Sequence, residues 1–534
     1  MIVTSQELRA LEREAEALIE EASAYVRIEE LLTLEDLRRG RPRDLSVKAL
    51  FVALQLLSFS GTYFLKEVPK ALNGLSPDAR RRLGLLRKNG RPVTLRQVHY
   101  LMNRIDHALR HDLAKTDLSE EARYGEFDAV FSAIATVGAH PGANGSLSIS
   151  IDGSDIPTWG NDRNVHRRLL DEATGELTWA IVRRNTDTDA GWRGAKNTFN
   201  KPPMFGYVVT AAVSVRDDGG PDVPRATVAA RFRPVNADGR KAALACVEEI
   251  ANKRGQLGDV LVDREYTQSK HGKDFLEPVR ELGGEPVFDL KENQVGPSGT
   301  VLGAIIIDGQ PFSPSIPKAL RTIAPPRGKG STTYKPSPQA LADYQQSIKA
   351  RSIYALVPHG QRLANGNLVF QCPGAAGKLL CPLQAPFGNR RTGLLPAANP
   401  PKTVVAGTVC ASRYRTFTSS ELPLYQRHLY GSKEWSDSYS RRGSSIEPHF
   451  GGLKGDAGAA LRHGKVRVTG IIKTGLMVAF GLATTNRNLA RAFDARRPSD
   501  SPPKVRRGRP YTHRLTRHTL GEADKTKVLY VART

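Results

Sequence analysis

Residues 147–153 read LSISIDG and residues 259–263 read DVLVD, two short apolar runs that each close on an aspartate. Runs of four to eight residues rich in Ile and Val and bounded by Gly or Asp read as strands. Leu147 to Asp152 and Asp259 to Asp263 are therefore expected to be strands. Between them, after a polar loop, Tyr207 to Val215 and Ala226 to Phe232 read as two more, and Lys241 to Ala251 as a helix. Lys270 to Leu282 follows as a helix and Pro286 to Leu290 as a fifth strand. The order strand, strand, strand, helix, strand, helix, strand predicts an α/β unit, a mixed sheet flanked by helices.

That order is the one of the RNase H-like fold, and the rest of the chain is expected to be arranged around it. Residues 1–140 show helical period, with Leu8, Leu11, Ala15, Leu18 and Ile19 on one face, and predict an all-α region, a candidate for DNA binding. Ser46 to Leu57 reads as one of its helices. Another begins at Thr94, where Thr94 and Gln97 have capping-box spacing ahead of Leu95, Val98, Leu101, Met102 and Ile105. Its other face carries Arg96, Asn103 and Arg104, which suits either a recognition helix or a plain solvated surface. Residues 141–290 are expected to form the first part of the RNase H-like core. Residues 291–436, rich in Pro and Gly, read as a β-rich insertion. Helical pattern returns from Ile446, so 437–495 completes the core, and 496–534 reads as a basic, disordered tail.

The chain has 534 residues, and 78 Lys and Arg against 54 Asp and Glu leave a net charge of +24. Such a charge points to a polyanionic partner, nucleic acid or an anionic membrane. The most apolar stretches, Ala49 to Leu57 and Gly475 to Ala483, fall far short of the ~20 residues that span a bilayer, which favours double-stranded DNA. The acidic amphipathic stretch Ser5 to Ala24 is not an export signal, and four cysteines do not make a disulfide framework. A bacterial cytoplasm, close to the nucleoid, is the expected location.

Phosphoryl transfer on DNA uses two divalent cations, and hard cations call for carboxylates. If the strands ending in Asp152 and Asp263 are neighbours, the two side chains meet at one sheet edge. A third carboxylate then has to come from a helix beside that edge, and Glu447 is the candidate. Asp155 competes with Asp152 but is expected in the loop after the strand.

Glu447 lies in YSRRGSSIEPHFGGLK, residues 439–454, whose Tyr439, Arg442, Glu447 and Lys454 resemble the Tyr-Arg-Glu-Lys signature of DDE-type insertion-sequence transposases. The intervals of two residues from Tyr439 to Arg442 and six from Glu447 to Lys454 match that pattern, whereas four residues rather than three separate Arg442 from Glu447. Arg442 is expected on a Gly443-Ser444-Ser445 turn ahead of the helix, so that the extra residue leaves Glu447 unmoved. Ser150 to Gly153 and Val262 to Tyr266 are similar to the family's first two acidic motifs. The resemblance implies an RNase H-like core, Asp152, Asp263 and Glu447 as ligands of two Mg²⁺ or Mn²⁺ ions, and Tyr439, Arg442 and Lys454 on DNA phosphates. It further implies cleavage at transposon ends, strand transfer by the freed 3'-hydroxyl, and a homodimer at work. A nuclease of the same fold and a catalytically inactive DNA-binding regulator are the rival readings.

Weaker signals remain. Arg39-Gly40-Arg41-Pro42 and Arg507-Gly508-Arg509-Pro510 spell AT-hook-like cores, and Arg507 and Arg509 in the basic tail are the better candidates for a minor groove. Arg39 to Pro42 sits immediately before a helix and reads rather as a turn capped by Asp44. Cys372, Cys381 and Cys410, with His359 or His428, form a candidate zinc set, against which no pair has the usual two-to-four residue spacing. Cys246 reads as core, and Trp435 either packs or stacks on an unpaired base.

Overall fold

The structure is a computed structural model. It describes residues 5–36, 45–86, 91–160 (except 114 and 116), 166–170, 175, 177–181, 187–194, 203–267, 274–326, 336–384 (except 361, 364 and 365) and 395–496.

The first part of the chain is helical for the reasons its pattern gives. Helices α1 (Ser5–Ala22), α2 (Ala24–Asp36) and α3 (Val47–Phe59) pack together. The Ser46 hydroxyl accepts from the Ala49 amide at 3.2 Å and starts α3, which is apolar on nearly every side and buried accordingly. Helix α4 (Leu95–Arg110) opens with the expected capping box, the Gln97 side chain accepting from the Thr94 amide at 2.9 Å. Its Val98, Leu101, Met102 and Ile105 are buried. Helix α5 is Glu120–Thr136.

Five of the six strands in the sheet that carries the site are β1 (Ile149–Pro157), β2 (Met204–Ser214), β3 (Thr227–Pro234), β4 (Asp259–Val262) and β5 (Glu285–Phe288). Their spatial order is β3-β2-β1-β4-β5, with β1, β2 and β3 antiparallel and β1, β4 and β5 parallel. Helices α6 (Gly239–Arg254) and α7 (Leu276–Glu281) make the crossovers into β4 and β5. This is the RNase H-like topology. Strand β4 is buried along its whole length, as parallel strands covered on both faces are. Cys246 lies at 0% exposure on the inner face of α6.

The structure corrects the expectation for residues 154–206. Strand β1 does not stop at Asp152 but runs on to Pro157, because β2 pairs with it throughout, Asp155 opposite Val208. The loop holds a hairpin, His166–Leu170 with Leu177–Ile181, and a short strand, Gly191–Arg193, that pairs with the start of β2.

Among the described residues of 291–436 two small antiparallel sheets occur, one over 297–312 and one joining 357–358, 368–371 and 414–417. A helix, Pro338–Ser352, lies between them and was not expected. From α7, the buried Arg280 donates to the carbonyls of Pro423 and Tyr425 at 2.9 and 2.8 Å, which fastens this segment to the crossover.

Two long helices close the described chain. Helix α8 (Lys433–Lys454) is capped by Ser432, whose hydroxyl accepts from the Trp435 amide. It starts well before Ile446 and runs through Gly443 and Pro448, so Arg442 sits inside the helix and not on a turn before it. Helix α9 (Ile471–Asp494) is buried over most of its length, and its Thr484 meets Gln55 and Ser58 of α3 in a buried polar clip. The α1–α5 region shares one apolar core with β2, β3, α8 and α9.

Candidate active site

Strands β1 and β4 run parallel with Ile149 beside Val260 and Ser150 beside Leu261, a register that carries Asp152 alongside Asp263. Helix α8 crosses this end of the sheet and brings Arg442 to both. Arg442 donates from Nη2 to Asp152 Oδ2 at 2.6 Å, and the same nitrogen lies 3.8 Å from Asp263 Oδ2. The Arg442 side chain is 10% exposed and those of Asp152 and Asp263 are 29% and 39% exposed. A guanidinium shared by two carboxylates on a half-open edge is therefore the centre of the arrangement. Burial pushes the pKa of Arg442 down, but the charges of Asp152, Tyr439, Asp263 and Glu447 outweigh it and raise it.

The remaining oxygens of the two aspartates are held locally. Asp152 Oδ1 accepts from the Gly153 amide at 2.8 Å, and Asp263 Oδ1 accepts from the Arg264 amide. Glu447, exposed, stands five residues beyond Arg442 on α8, with its carboxylate back beside Gly443. Among the described residues no group of three His, Cys, Asp or Glu side chains is arranged to hold a metal ion. Arg442 is the group that meets both aspartates, and gathering Glu447 with them would require it to give way. The donor set, two strand-end carboxylates with a third on the adjoining helix, is of the hard-oxygen kind that suits Mg²⁺ or Mn²⁺.

Tyr439 lies one turn before Arg442. Its ring stacks on Trp435 at 5.3 Å and 10°, and it packs on the cluster of Val215, Leu261 and Val287. Burial pushes its phenol up to about 12, with Arg442 opposing and Asp263, Asp289 and Asp152 adding to the rise. Trp435 also donates from its indole nitrogen to the Phe288 carbonyl at 3.2 Å, so the packing alternative describes it. Lys454, the last residue of α8, is half-buried; burial lowers its pKa and the charge of Asp155 opposes this. Glu447 and Lys454 thus lie on one helix two turns apart, but Lys454 looks onto Asp155.

Asp155 is not on a loop. It lies in β1, and Arg193 grips its carboxylate with two bonds of 3.0 and 2.5 Å. Asp289 is a residue the sequence reading passed over. Val262 pairs with Phe288, so Asp289 follows β5 as Asp263 follows β4, and the Tyr430 hydroxyl donates to it at 2.7 Å. The echo of LVD, 261–263, in VFD, 287–289, was the available signal.

Arg441, beside Arg442, faces the other way. It is 2% exposed, pairs with the buried Asp259, and donates to the Arg216 carbonyl at 2.9 Å. Cys372, Cys381 and Cys410 line one cavity of about 10 Å³. Neither candidate fourth ligand lines that cavity: the His359 ring packs at a tilt against Tyr414, and His428 bonds Asp218 at 3.0 Å. Arg39 to Pro42 and Arg507 to Pro510 lie outside the described residues. No helix among the described residues is long and apolar enough to cross a membrane.

No family model matches the chain, and no curated protein matches it. Among solved structures, the fold is similar to a piggyBac transposase in a synaptic complex with hairpin DNA, determined by cryo-EM. The two share 11% identity over 90% of this chain and 78% of that one, with a TM-score of 0.33.

Proposed function

We propose that this protein is a DDE-type DNA transposase of an insertion sequence, which cleaves DNA at the element's ends and joins the freed 3'-hydroxyl to target DNA. One observation carries this reading: Asp152 and Asp263 stand together at the end of adjacent parallel strands in an RNase H-like sheet, under a helix bearing Tyr439, Arg442, Glu447 and Lys454. The net charge of +24 suits a DNA substrate.

Asp152, Asp263 and Glu447 would hold two Mg²⁺ or Mn²⁺ ions, which when bound activate the attacking oxygen and stabilise the leaving one. The protein's own groups supply the rest. Arg442, released from the aspartates, forks a phosphate oxygen pair beside them. Lys454 meets a phosphate as a point charge. Tyr439, stacked on Trp435, keeps its phenol protonated and is a hydrogen-bond donor to the same backbone. Arg507 and Arg509 add minor-groove contacts outside the core. Two ends have to be joined, so a homodimer is the working form.

The engagement of Arg442 with carboxylates favours one second reading, a plain RNase H-like nuclease that needs no phosphate clamp. Incubation with Mg²⁺ and DNA carrying the genomic flanks of the gene separates them. Nicking followed by strand transfer supports the transposase, and nicking alone the nuclease. Binding without cleavage would leave only a DNA-binding regulator.

A further inference from the structure

Three aromatic rings stand in a row beside the aspartates. Tyr430, 3% exposed where the chain enters α8, lies 4.6 Å from Trp435, and Trp435 lies 5.3 Å from Tyr439. The far end of the row is pinned. The Tyr430 hydroxyl donates to Asp289 Oδ1 at 2.7 Å, and Asp289 follows β5 as Asp263 follows the neighbouring β4. The middle ring is fixed as well, since the Trp435 indole nitrogen donates to the Phe288 carbonyl at 3.2 Å and to Gln426 Oε1 at 3.3 Å. Tyr439, at the near end, is seated by ring contacts: Trp435 on one side and the cluster of Val215, Leu261 and Val287 on the other. Burial raises its phenol most, Arg442 opposes, and the charges of Asp263, Asp289 and Asp152 add to the rise, so Tyr439 and Asp289 share the carboxylate-bearing edge.

We propose that Asp289 is a positioning residue of this site: by holding Tyr430 against Trp435 it sets where Tyr439 presents its hydroxyl to the DNA backbone. The inference rests on the proposed function, in which Tyr439 touches DNA. A hydrogen bond to a carboxylate is stronger and more directional than ring packing, so the bond at Asp289 fixes the row and the stacked rings pass its position on. Packing alone would not need it. A phenylalanine at 430 would fill the same space, and the hydroxyl adds only the bond to Asp289.

The test follows Mg²⁺-dependent cleavage of DNA carrying the genomic flanks of the gene by the full chain, at saturating DNA. A displacement of about 1 Å can slow a reaction by about 100-fold, so Asp289→Ala and Tyr430→Phe, which lose the bond from either side, are each expected to slow cleavage by about 5- to 50-fold. The Mg²⁺ concentration for half-maximal rate should stay the same. Asp289→Asn, which still accepts from the hydroxyl, should recover the rate to within about threefold. In a Tyr439→Phe background Asp289→Ala should cost less than about twofold more, because the two changes break one chain of contacts. The same slowing with and without the Tyr439 hydroxyl would overturn the inference and leave Asp289 a tether of the segment entering α8. Full activity in both Asp289→Ala and Tyr430→Phe would overturn it too. So would an asparagine variant as slow as the alanine one with a raised Mg²⁺ requirement, which would make Asp289 a metal ligand. If the unaltered protein did not cleave this DNA, the proposed function would fall and this inference with it.

Discussion

Arg442 Nη2 donates to Asp152 Oδ2 at 2.6 Å across 290 residues of sequence and reaches Asp263 at 3.8 Å, so one buried cation balances two carboxylates. Removing it leaves those charges facing each other. Because both aspartates are partly exposed, solvent screens the repulsion, and Arg442→Ala is expected to destabilise the protein by about 1–2 kcal/mol rather than the larger cost of a fully buried pair. A divalent cation should offset the loss. Calorimetry should therefore find the variant's Tm lowered without Mg²⁺ and largely restored by it, with a smaller Mg²⁺ response in the unaltered protein. Equal Mg²⁺ responses would mean that Arg442 and cations do not share the aspartates.

Asp152→Asn, Asp263→Asn and Glu447→Gln each remove charge with little change of volume. Each is expected to abolish cleavage while DNA binding stays measurable by gel shift. Ca²⁺, larger and less demanding in geometry, should support binding with little cleavage. Asp155→Asn is the contrast. It loses a partly exposed pair with Arg193 worth at most about 1 kcal/mol and should retain cleavage within a few-fold. Activity in Glu447→Gln would remove the third carboxylate from the site.

The sheet was legible because its strands are written as uninterrupted apolar runs: Val260, Leu261 and Val262 are all fully buried. The Thr94 cap was legible because it is a local hydrogen-bond pattern. Helix α8 was half hidden. Gly443, Ser444, Ser445 and Pro448 have poor helix propensity, and what keeps them helical is tertiary burial of Ser438, Ser445, Ile446 and Leu453. Asp155 was misplaced because the pairing partner that extends β1 lies some fifty residues on, and Arg193, its counter-ion, comes from a segment without apolar period. The contact between Arg442 and Asp152 is a tertiary fact that no spacing encodes.

Arg441 and Arg442 are neighbours with opposite roles, and mutation should separate them. Arg441 and Asp259 are 2% and 3% exposed, so truncating the arginine leaves a buried carboxylate short of one cation, although Arg427 still reaches it at 2.9 Å. Arg441→Ala is expected to cost about 3–5 kcal/mol in urea unfolding, whereas Arg442→Ala costs less and acts on the site. A silent Arg441→Ala would show that Arg427 suffices for Asp259.

The tail bears on DNA affinity through charge. If Arg507 and Arg509 each neutralise one phosphate, deleting residues 497–534 should weaken duplex binding and make the slope of log K against log salt shallower by about 2. A slope unchanged by the deletion would reduce the tail to a linker.

His449 sets a pH dependence of stability. It is fully buried two residues after Glu447, its Nε2 lies 2.8 Å from Thr227 Oγ1, and burial, helped by the charge of Arg225, lowers its pKa from 6.5 to about 4. The folded imidazole stays neutral where the unfolded one takes up a proton. Between about pH 6.5 and 4 the unfolded chain therefore binds more protons, so this stability is whole above the unfolded pKa and is lost as pH falls toward the folded one. The two pKa values set its size at roughly 3 kcal/mol, an order of magnitude only. His449→Gln can keep a hydrogen bond to Thr227 without titrating. Urea unfolding at pH 7, 6 and 5 should show stability falling less steeply in this variant than in the unaltered protein, the other acids of the chain being common to both. Parallel pH profiles would mean that the ring takes a proton without leaving its place on the buried face of the helix that carries Glu447.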